Sequence, residues 1–309
     1  MLLLVMLILA LISVLILSWA REWRTELKLA GSFVQVQKSR RLAEAGIFYA
    51  LGKLAGLKAA ELTAGQVSPL HQEAPPPDLW RADQRLYHLD LPDGRVDIRV
   101  ADEAGKINLN NAAEDMLFRL FSALKVKETQ ARAMVDSLLD WRSPGKQPRV
   151  YGAKSDYYLG LKPPYVAKDG PFETVEELAW VHGFEGSPLV PRLGRVLTVQ
   201  QTGTGINLNT APLEVLTATG MDAEVAQSLM VNRQTEPLRN FQEIARLLPV
   251  SLMGRQQNFV FKTSPFFTIT ATGLAKNSKA RQTIRAIVRV DPQQEEPWTI
   301  VSWFEGFPG

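Results

Sequence analysis

The sequence contains no cysteine among its 309 residues and only three histidines. The lack of cysteine excludes disulfide bonds, thiolate metal sites and cysteine nucleophiles, and it leaves the redox compartment open. His71, His88 and His182 lie far apart in the chain and do not have the spacing of metal ligands. We interpret each of them as a surface or packing residue.

Strong net charge and catalytic motifs are lacking as well. The chain has 35 lysines and arginines against 32 aspartates and glutamates, a net charge of +3. Nucleic-acid binding by electrostatics requires a clustered basic surface, which this balance does not support. There is no G-x-S-x-G, no phosphate-binding P-loop and no H-E-x-x-H in the chain. The sequence therefore predicts a protein that is not an enzyme.

Residues 1–20 lack charge, proline and glycine, and they read MLLLVMLILALISVLILSWA. A helix of this length spans about 30 Å, the thickness of the hydrocarbon core of a bilayer. Trp19 has the position of an interfacial aromatic residue, and Arg21 follows it. A cleaved signal peptide is the alternative, but the run has no basic segment before it and is longer than the usual apolar core of such peptides. We predict a single transmembrane segment over residues 1–20.

Helical character continues beyond the predicted membrane segment. Residues 21–59 contain no proline, and apolar residues recur there at the spacing of one helix face. We predict one continuous helix whose part 21–59 forms a stem outside the membrane. The stem has an apolar face that requires a partner to cover it.

Strand patterns lie on both sides of a long helical region. Alternating or β-branched and aromatic residues predict strands at 85–91, 95–100, 266–272, 284–290 and 298–304. Segments 60–101 and 264–309 are therefore the two parts of one antiparallel sheet, with a proline-rich loop at the start of the first. The predicted fold class is α+β, in which the apolar face of the sheet packs on the stem.

The intervening region, 102–263, contains an internal repeat. Residues 107–112 read INLNNA and residues 206–211 read INLNTA. Each copy precedes helical patterns, which predict helices near 113–122, 128–141, 174–182, 212–219, 222–232 and 240–247. We predict an all-α insert of two subdomains, 107–205 and 206–263.

Polar residues near these helix starts have the pattern of N-caps. Asn111 stands three residues before Glu114, and Thr174 stands three residues before Glu177, as in a capping box. In the second repeat, Asn209 or Thr210 is placed to cap the next helix. The asparagines of the repeat are thus predicted to serve structure rather than chemistry.

The order of these features resembles the minor pseudopilin K family (GspK) of type II secretion. The resemblance covers essentially the whole chain and includes matching stretches at Asp140-Trp141, Tyr157-Tyr158-Leu159, Pro163-Pro164-Tyr165 and Gly170-Pro171-Phe172. It implies a pilin-like fold with a large insert of two SAM/helix-hairpin-helix-like subdomains. It also implies a single-pass protein of the inner membrane with its bulk in the periplasm.

The function implied by this resemblance is assembly. A minor pseudopilin of this family is expected to cap the tip of the periplasmic pseudopilus and to initiate its assembly. Its expected partners are the minor pseudopilins I and J, the inner-membrane assembly platform and the lipid bilayer, with no nucleic acid. The assembly residues that we expect are Val5, Phe33, Leu42, Phe48 and Leu54.

Val5 is informative because of the charge that it lacks. The family is made with a short basic leader that a peptidase removes, and no such stretch is present, so the sequence is expected to be mature or truncated. Most pseudopilins resemble one another in a glutamate at the fifth mature position, whereas Glu22 is the first acidic residue here. A subunit without a buried carboxylate cannot neutralise the buried ammonium of a neighbour. Such a subunit suits only the end of a filament.

The resemblance also implies a calcium site in the insert, held by carboxylates after the D-W pair. Asp140 and Asp156 are the candidate ligands in this chain. Calcium requires several oxygen ligands at once. Lys146 and Lys154 lie in the same stretch and oppose a divalent cation. The alternative is a loop held by packing around Trp141, and both interpretations stay open at this point.

The repeat also resembles the helix-hairpin-helix modules of competence-type DNA-binding proteins. These modules bind phosphate through the backbone N–H groups of a Gly-apolar-Gly hairpin. The corresponding stretches here are Gly220-Met221-Asp222 and Gly183-Phe184-Glu185, in which an acidic residue replaces the second glycine. A carboxylate there repels phosphate. A membrane-anchored DNA-binding protein is therefore the second hypothesis for function.

Overall fold

The computed structural model describes residues 1–64, 80–203, 205–245, 252, 254 and 256–306. In chain order its helices are α1 Leu2–Ala64, α2 Glu114–Ala123, α3 Glu128–Arg142, α4 Ser155–Leu159, α5 Val190–Leu193, α6 Leu213–Ala218, α7 Ala223–Thr235 and α8 Gln242–Ala245. Its strands are β1 Asp83–Leu91, β2 Gly94–Asp102, β3 Ile107–Asn108, β4 Leu197–Thr198, β5 Ile206–Asn207, β6 Phe259–Val260, β7 Phe266–Ala275, β8 Arg281–Val290 and β9 Trp298–Glu305. Short 3-10 helices occupy Glu103–Gly105, Val175–Trp180 and Gln256–Asn258.

Helix α1 is continuous over 63 residues. At 1.5 Å per residue it is about 95 Å long. The prediction of one continuous helix through residues 1–59 is confirmed, and the helix ends a few residues later, at Ala64. All side chains of residues 1–34 are exposed in the structure. The predicted proline-rich loop falls mostly at 65–79, outside the described residues.

Five antiparallel strands form the main sheet, in the order β1-β2-β7-β8-β9. All five predicted strands are present, each within a few residues of its predicted bounds. Alternation places Val96, Ile98 and Val100 on the buried face of β2, while Arg95 and Arg99 are exposed. The sheet therefore has one apolar face, as an antiparallel sheet that is covered on one side requires.

The apolar face of the sheet packs on the C-terminal half of α1. This core includes Leu42, Ile47 and Leu54 from the helix, with Ile269 and Val288 from the sheet. The predicted α+β packing of the stem on the sheet is confirmed.

The helical insert connects two neighbouring strands. β2 and β7 pair along their length, up to Asp102 opposite Phe267, so the chain leaves the sheet and returns beside its point of departure. The insert has its own apolar core, separate from the core between α1 and the sheet. The segment between β2 and β7 is thus a single strand connection with an apolar core of its own.

Some local elements differ from the prediction. The helix expected at 174–182 is a 3-10 helix at Val175–Trp180, and the helix expected at 240–247 is described only as α8, since 246–250 lie outside the described residues. Two pairs of short parallel strands, β3 with β4 and β5 with β6, were not predicted. Strands of two residues carry too little alternation to be recognised in a sequence.

Candidate functional site

The predicted assembly residues divide into two groups on α1. Leu42 and Leu54 are 6% and 0% exposed because the sheet covers them, so their side chains belong to the core of the chain itself. This corrects the expectation that they face partners. Val5, Phe33 and Phe48 are exposed, Phe33 by 64% and Phe48 by 51%. These three are the predicted residues that a partner can reach.

An aromatic surface accompanies the exposed side of the stem. The ring of Phe48 meets that of Trp298 edge-on at 6.1 Å, and the ring of Tyr49 meets that of Trp80 at 5.6 Å. Phe48, Tyr49 and Trp298 are all exposed. Trp298 begins the edge strand β9 and was not predicted as a site residue, because nothing in the sequence shows that β9 lies beside the stem. The surface is apolar and aromatic, and aromatic residues are enriched at protein interfaces.

The insert lies at the C-terminal end of α1, opposite to the apolar N-terminal segment. Lys58 Nζ donates to the carbonyl oxygen of Thr263 at 2.8 Å, just before the chain re-enters the sheet. The Glu61 carboxylate accepts from the Thr263 backbone N–H at 3.2 Å and from its hydroxyl. These contacts join the end of the stem to the junction between insert and sheet.

The first asparagine of each repeat makes two equivalent contacts in the two subdomains. Asn108 Oδ1 accepts from the N–H of Asn110, and Asn207 Oδ1 accepts from the N–H of Asn209. Their amide nitrogens donate to the carbonyls of Gln200 and Lys262, each just beyond the neighbouring parallel strand. Each asparagine therefore holds a turn and ties it to the adjacent strand.

The second asparagine of each repeat binds a distant backbone segment. Asn110 both accepts from the N–H of Phe172 at 2.7 Å and donates to its carbonyl at 3.0 Å. Asn209 does the same with Leu238, at 2.8 Å for both bonds. Phe172 and Leu238 each follow a proline, Pro171 and Pro237. Each repeat therefore has a second part, a proline followed by an apolar residue, which the spacing of I-N-L-N alone did not identify.

The predicted caps are partly wrong. The N-caps of α2 and α6 are Ala113 and Pro212, and neither makes a side-chain capping bond. Asn209 binds Leu238 and Thr210 binds Asp102 instead, while Asn111 lies two residues before the N-cap of α2. The capping box of Thr174 with Glu177 is confirmed.

One arginine in each subdomain binds backbone carbonyl groups of the repeat. Arg142 in α3 donates to the carbonyls of Leu109 and Ala112, and Arg233 in α7 donates to that of Leu208 at 2.6 Å. Burial lowers the pKa of Arg142, and it lowers the pKa of Arg233 to about 10. Both side chains remain charged at neutral pH. The two subdomains share one plan, so the repeat is structural.

The two candidate calcium ligands lie in different surroundings. Asp140 is buried, its Oδ2 accepts from the N–H of Arg149 at 2.9 Å, and burial raises the pKa of its carboxyl. Asp156 is exposed at the start of α4. The Lys154 ammonium instead binds the carbonyl of Asp140. Over the residues that the structure describes, no group of three or more His, Cys, Asp or Glu side chains could hold a metal ion.

The two glycine stretches that resemble phosphate-binding hairpins each begin with a left-handed glycine and carry an acidic residue. Gly183 and Gly220 have positive φ angles of 87° and 104°. Glu185 Oε2 accepts from the N–H of Gly183 at 2.8 Å and so occupies a donor that phosphate would need. Asp222 is exposed at the start of α7. Both carboxylates oppose a bound anion.

Among the described residues, α1 is the one helix long and apolar enough to cross a membrane. Its most apolar window is entirely exposed, so this segment is not the core helix of the folded part. The helix has the length and composition of a single-pass membrane anchor.

Comparison with solved structures supports the fold. A chain of the GspK-GspI-GspJ complex from the type 2 secretion system of enterotoxigenic Escherichia coli matches with a TM-score of 0.58 and 17% identity. The match covers 88% of this chain and 99% of that chain. A comparison with curated proteins found no match.

Two family models match the chain, and both are described as type II secretion system (T2SS), protein K. The first matches residues 94–201, from β2 through the first subdomain. The second matches residues 206–262, the second subdomain. Together they cover more than half of the sequence, including both repeats, and the chain therefore belongs to the protein K family of the type II secretion system.

Proposed function

We propose that this chain caps the tip of a periplasmic pseudopilus and initiates its assembly with the minor pseudopilins I and J. The inner membrane holds it through residues 1–20, with the sheet and insert in the periplasm. The observation that carries the proposal is the position of the insert. It contacts Lys58 and Glu61 near the C-terminal end of α1, whereas the apolar segment, residues 1–20, lies at the N-terminal end of the same helix.

This position bears on how subunits can stack. Pilin-type subunits pack through their long helices, so a growing filament adds mass along the direction of α1. The contacts of Thr263 with Lys58 and Glu61 put the insert beside the C-terminal end of α1, and we infer that it obstructs a further subunit there. A subunit with this shape accepts neighbours from the membrane side only, which suits a tip.

The charge of the apolar segment supports the same position. Residues 1–20 contain no carboxylate. A buried ammonium from a neighbouring subunit would stay unpaired beside them, at a cost of several kcal/mol. Assembly that depends on such a pair cannot continue past this subunit.

Minor pseudopilins I and J are the proposed partners of the exposed side of α1. The support is that the structural match lies in a GspK-GspI-GspJ complex and that Phe33 and Phe48 leave an apolar stem surface uncovered. Helices of similar amphipathic character would cover this surface. The inner-membrane assembly platform and the bilayer complete the proposed set of partners.

The test is co-purification of the full chain in detergent with its cognate I and J pseudopilins, with a labelled DNA duplex added. We expect a complex with one copy of each protein and no retained DNA. Phe33→Glu should reduce recovery of the complex about tenfold or more, because it places a charge in an apolar interface. Secretion in cells that carry only the variant should fall in parallel.

Val150→Glu is the matched control, since Val150 is an apolar residue of the insert with 88% exposure. It should leave both complex and secretion unchanged. If DNA is retained in a salt-dependent manner and no complex forms, the DNA-binding hypothesis replaces this proposal.

A further inference from the structure

Lys154 is a buried lysine in the loop that joins α3 to α4. Its side chain is 5% exposed, and Nζ donates to the backbone carbonyls of Asp140 and Ser143 and to Oδ1 of Asp169, the last at 2.7 Å. An ammonium group has three N–H donors and no acceptor, so all of its donors are used. One cation thus joins the end of α3, the loop that follows it, and the segment at Asp169.

These oxygen atoms are of the kinds that bind calcium. Two backbone carbonyls and a carboxylate oxygen are typical calcium ligands. Here they converge on a lysine side chain that is part of the protein. A divalent cation at this point would lie within a few ångström of a fixed positive charge, and the repulsion would oppose its binding.

The carboxylates of Asp136 and Asp140 are engaged by the backbone of the loop that follows α3. Asp140 Oδ2 accepts from the N–H of Arg149, and Asp136 Oδ2 accepts from the N–H of Tyr151 at 3.0 Å. The backbone passes so close that a Cβ on Gly152 would lie 2.0 Å from Asp140 Oδ2. The loop 149–152 is therefore held on these two aspartates by backbone hydrogen bonds, which use one oxygen of each carboxylate.

We propose that the Lys154 ammonium is a built-in cation that holds this loop, so that the first subdomain folds without calcium. The ammonium neutralises Asp169 and satisfies two carbonyl oxygens at the end of α3. Removal of this one group would leave those carbonyls and the Asp169 carboxylate without their donor. Burial of unpaired polar groups destabilises a fold substantially.

The test compares the full chain in detergent with two variants, Lys154→Met and Lys146→Met. Both changes remove one lysine charge from the same loop, but Lys146 is exposed and serves as the matched control. Thermal unfolding is measured for each protein in a chelator and in millimolar calcium chloride. Calcium binding to the unmodified chain is measured by calorimetry in the same detergent.

We expect the unmodified chain to unfold at the same temperature in chelator and in calcium, with no binding heat. Lys154→Met should lower the midpoint by about 5 °C or more, or prevent folding, while Lys146→Met shifts it by less than about 1 °C. Stabilisation of the unmodified chain by calcium would overturn the proposal, and this arm needs no variant. Equal midpoints for the two variants would overturn it as well. Because no partner is present in the assay, either failure leaves the pseudopilus proposal standing.

Discussion

The Asn207 side-chain amide donates to Asp102 Oδ2 at 2.8 Å, which ties the last residue of β2 to the repeat that begins the second subdomain. Asp102 is fully buried and also accepts from Ala104 N–H, Thr210 Oγ1 and both the N–H and hydroxyl of Ser264. One carboxylate thus joins the sheet, the insert and the segment that returns to the sheet.

Asp102 should make stability depend on pH. Burial raises the pKa of its carboxyl, so the folded chain binds a proton more readily than the unfolded chain. Stability from this group therefore increases as the pH falls through its folded pKa toward about 4, the pKa of an unfolded aspartate, and decreases as the pH rises. Comparison with Asp102→Asn isolates the effect: in urea unfolding, the stability advantage of the unmodified chain should grow on acidification. An advantage that shrinks on acidification would show that the fold favours the ionised carboxylate.

Alanine substitutions at Asn110 and at Asn209 should lower the free energy of unfolding by similar amounts. Replacement of either by alanine removes the bonds to Phe172 or Leu238 and leaves buried backbone groups unpaired, at a cost of about 1–3 kcal/mol. Asn111→Ala is the control, because Asn111 is exposed and α2 has its N-cap at Ala113. It should change the free energy of unfolding by less than about 0.5 kcal/mol. A large loss from Asn111→Ala would restore the capping hypothesis.

A substitution at Leu54 should affect the stability of the chain, whereas a substitution at Phe33 should affect its assembly with partners. Leu54→Ala opens a cavity under the sheet and should lower the free energy of unfolding by about 2–5 kcal/mol. Phe33→Ala removes an exposed ring and should leave unfolding unchanged within about 0.5 kcal/mol while it weakens recovery of the complex with I and J. Denaturant unfolding and co-purification measure the two effects. Equal effects of both variants on unfolding would contradict the division of α1 into a buried and an exposed side.

Gly273 should be intolerant of substitution. A Cβ at this position of β7 would lie 2.0 Å from the carbonyl oxygen of Ser39 and 2.7 Å from the nitrogen of Ala43, so Gly273→Ala would push the helix off the sheet. We expect a loss of about 1–3 kcal/mol or more. Gly52→Ala is the matched control, since a Cβ there meets nothing within 4 Å. It should stabilise α1 by up to about 1 kcal/mol, because alanine favours a helix more than glycine. A tolerated Gly273→Ala would contradict the close packing of β7 on the stem.

Local patterns predicted most of the elements. The apolar run and the helical spacing to residue 59 predicted α1, and alternation such as that of Val96, Ile98 and Val100 predicted the main strands. The two-residue strands β3–β6 were missed because their pairing, and not their own pattern, defines them. The asparagines of the repeat were recognised as structural, but the capping role predicted for Asn209 was wrong because its side chain binds Leu238, 29 residues away.

The sequence by itself determined the single apolar anchor, the α+β class, the duplicated insert and the family, because local periodicity or motifs along the chain indicate each of them. Only the tertiary structure decided which side of the stem is buried, so that Leu42 and Leu54 serve the core while Phe33 and Phe48 stay exposed. It also decided that Lys154 meets Asp140, Ser143 and Asp169. The physical reason is that burial and pairing depend on contacts between segments distant in the chain. A local sequence pattern does not show which distant segments come into contact.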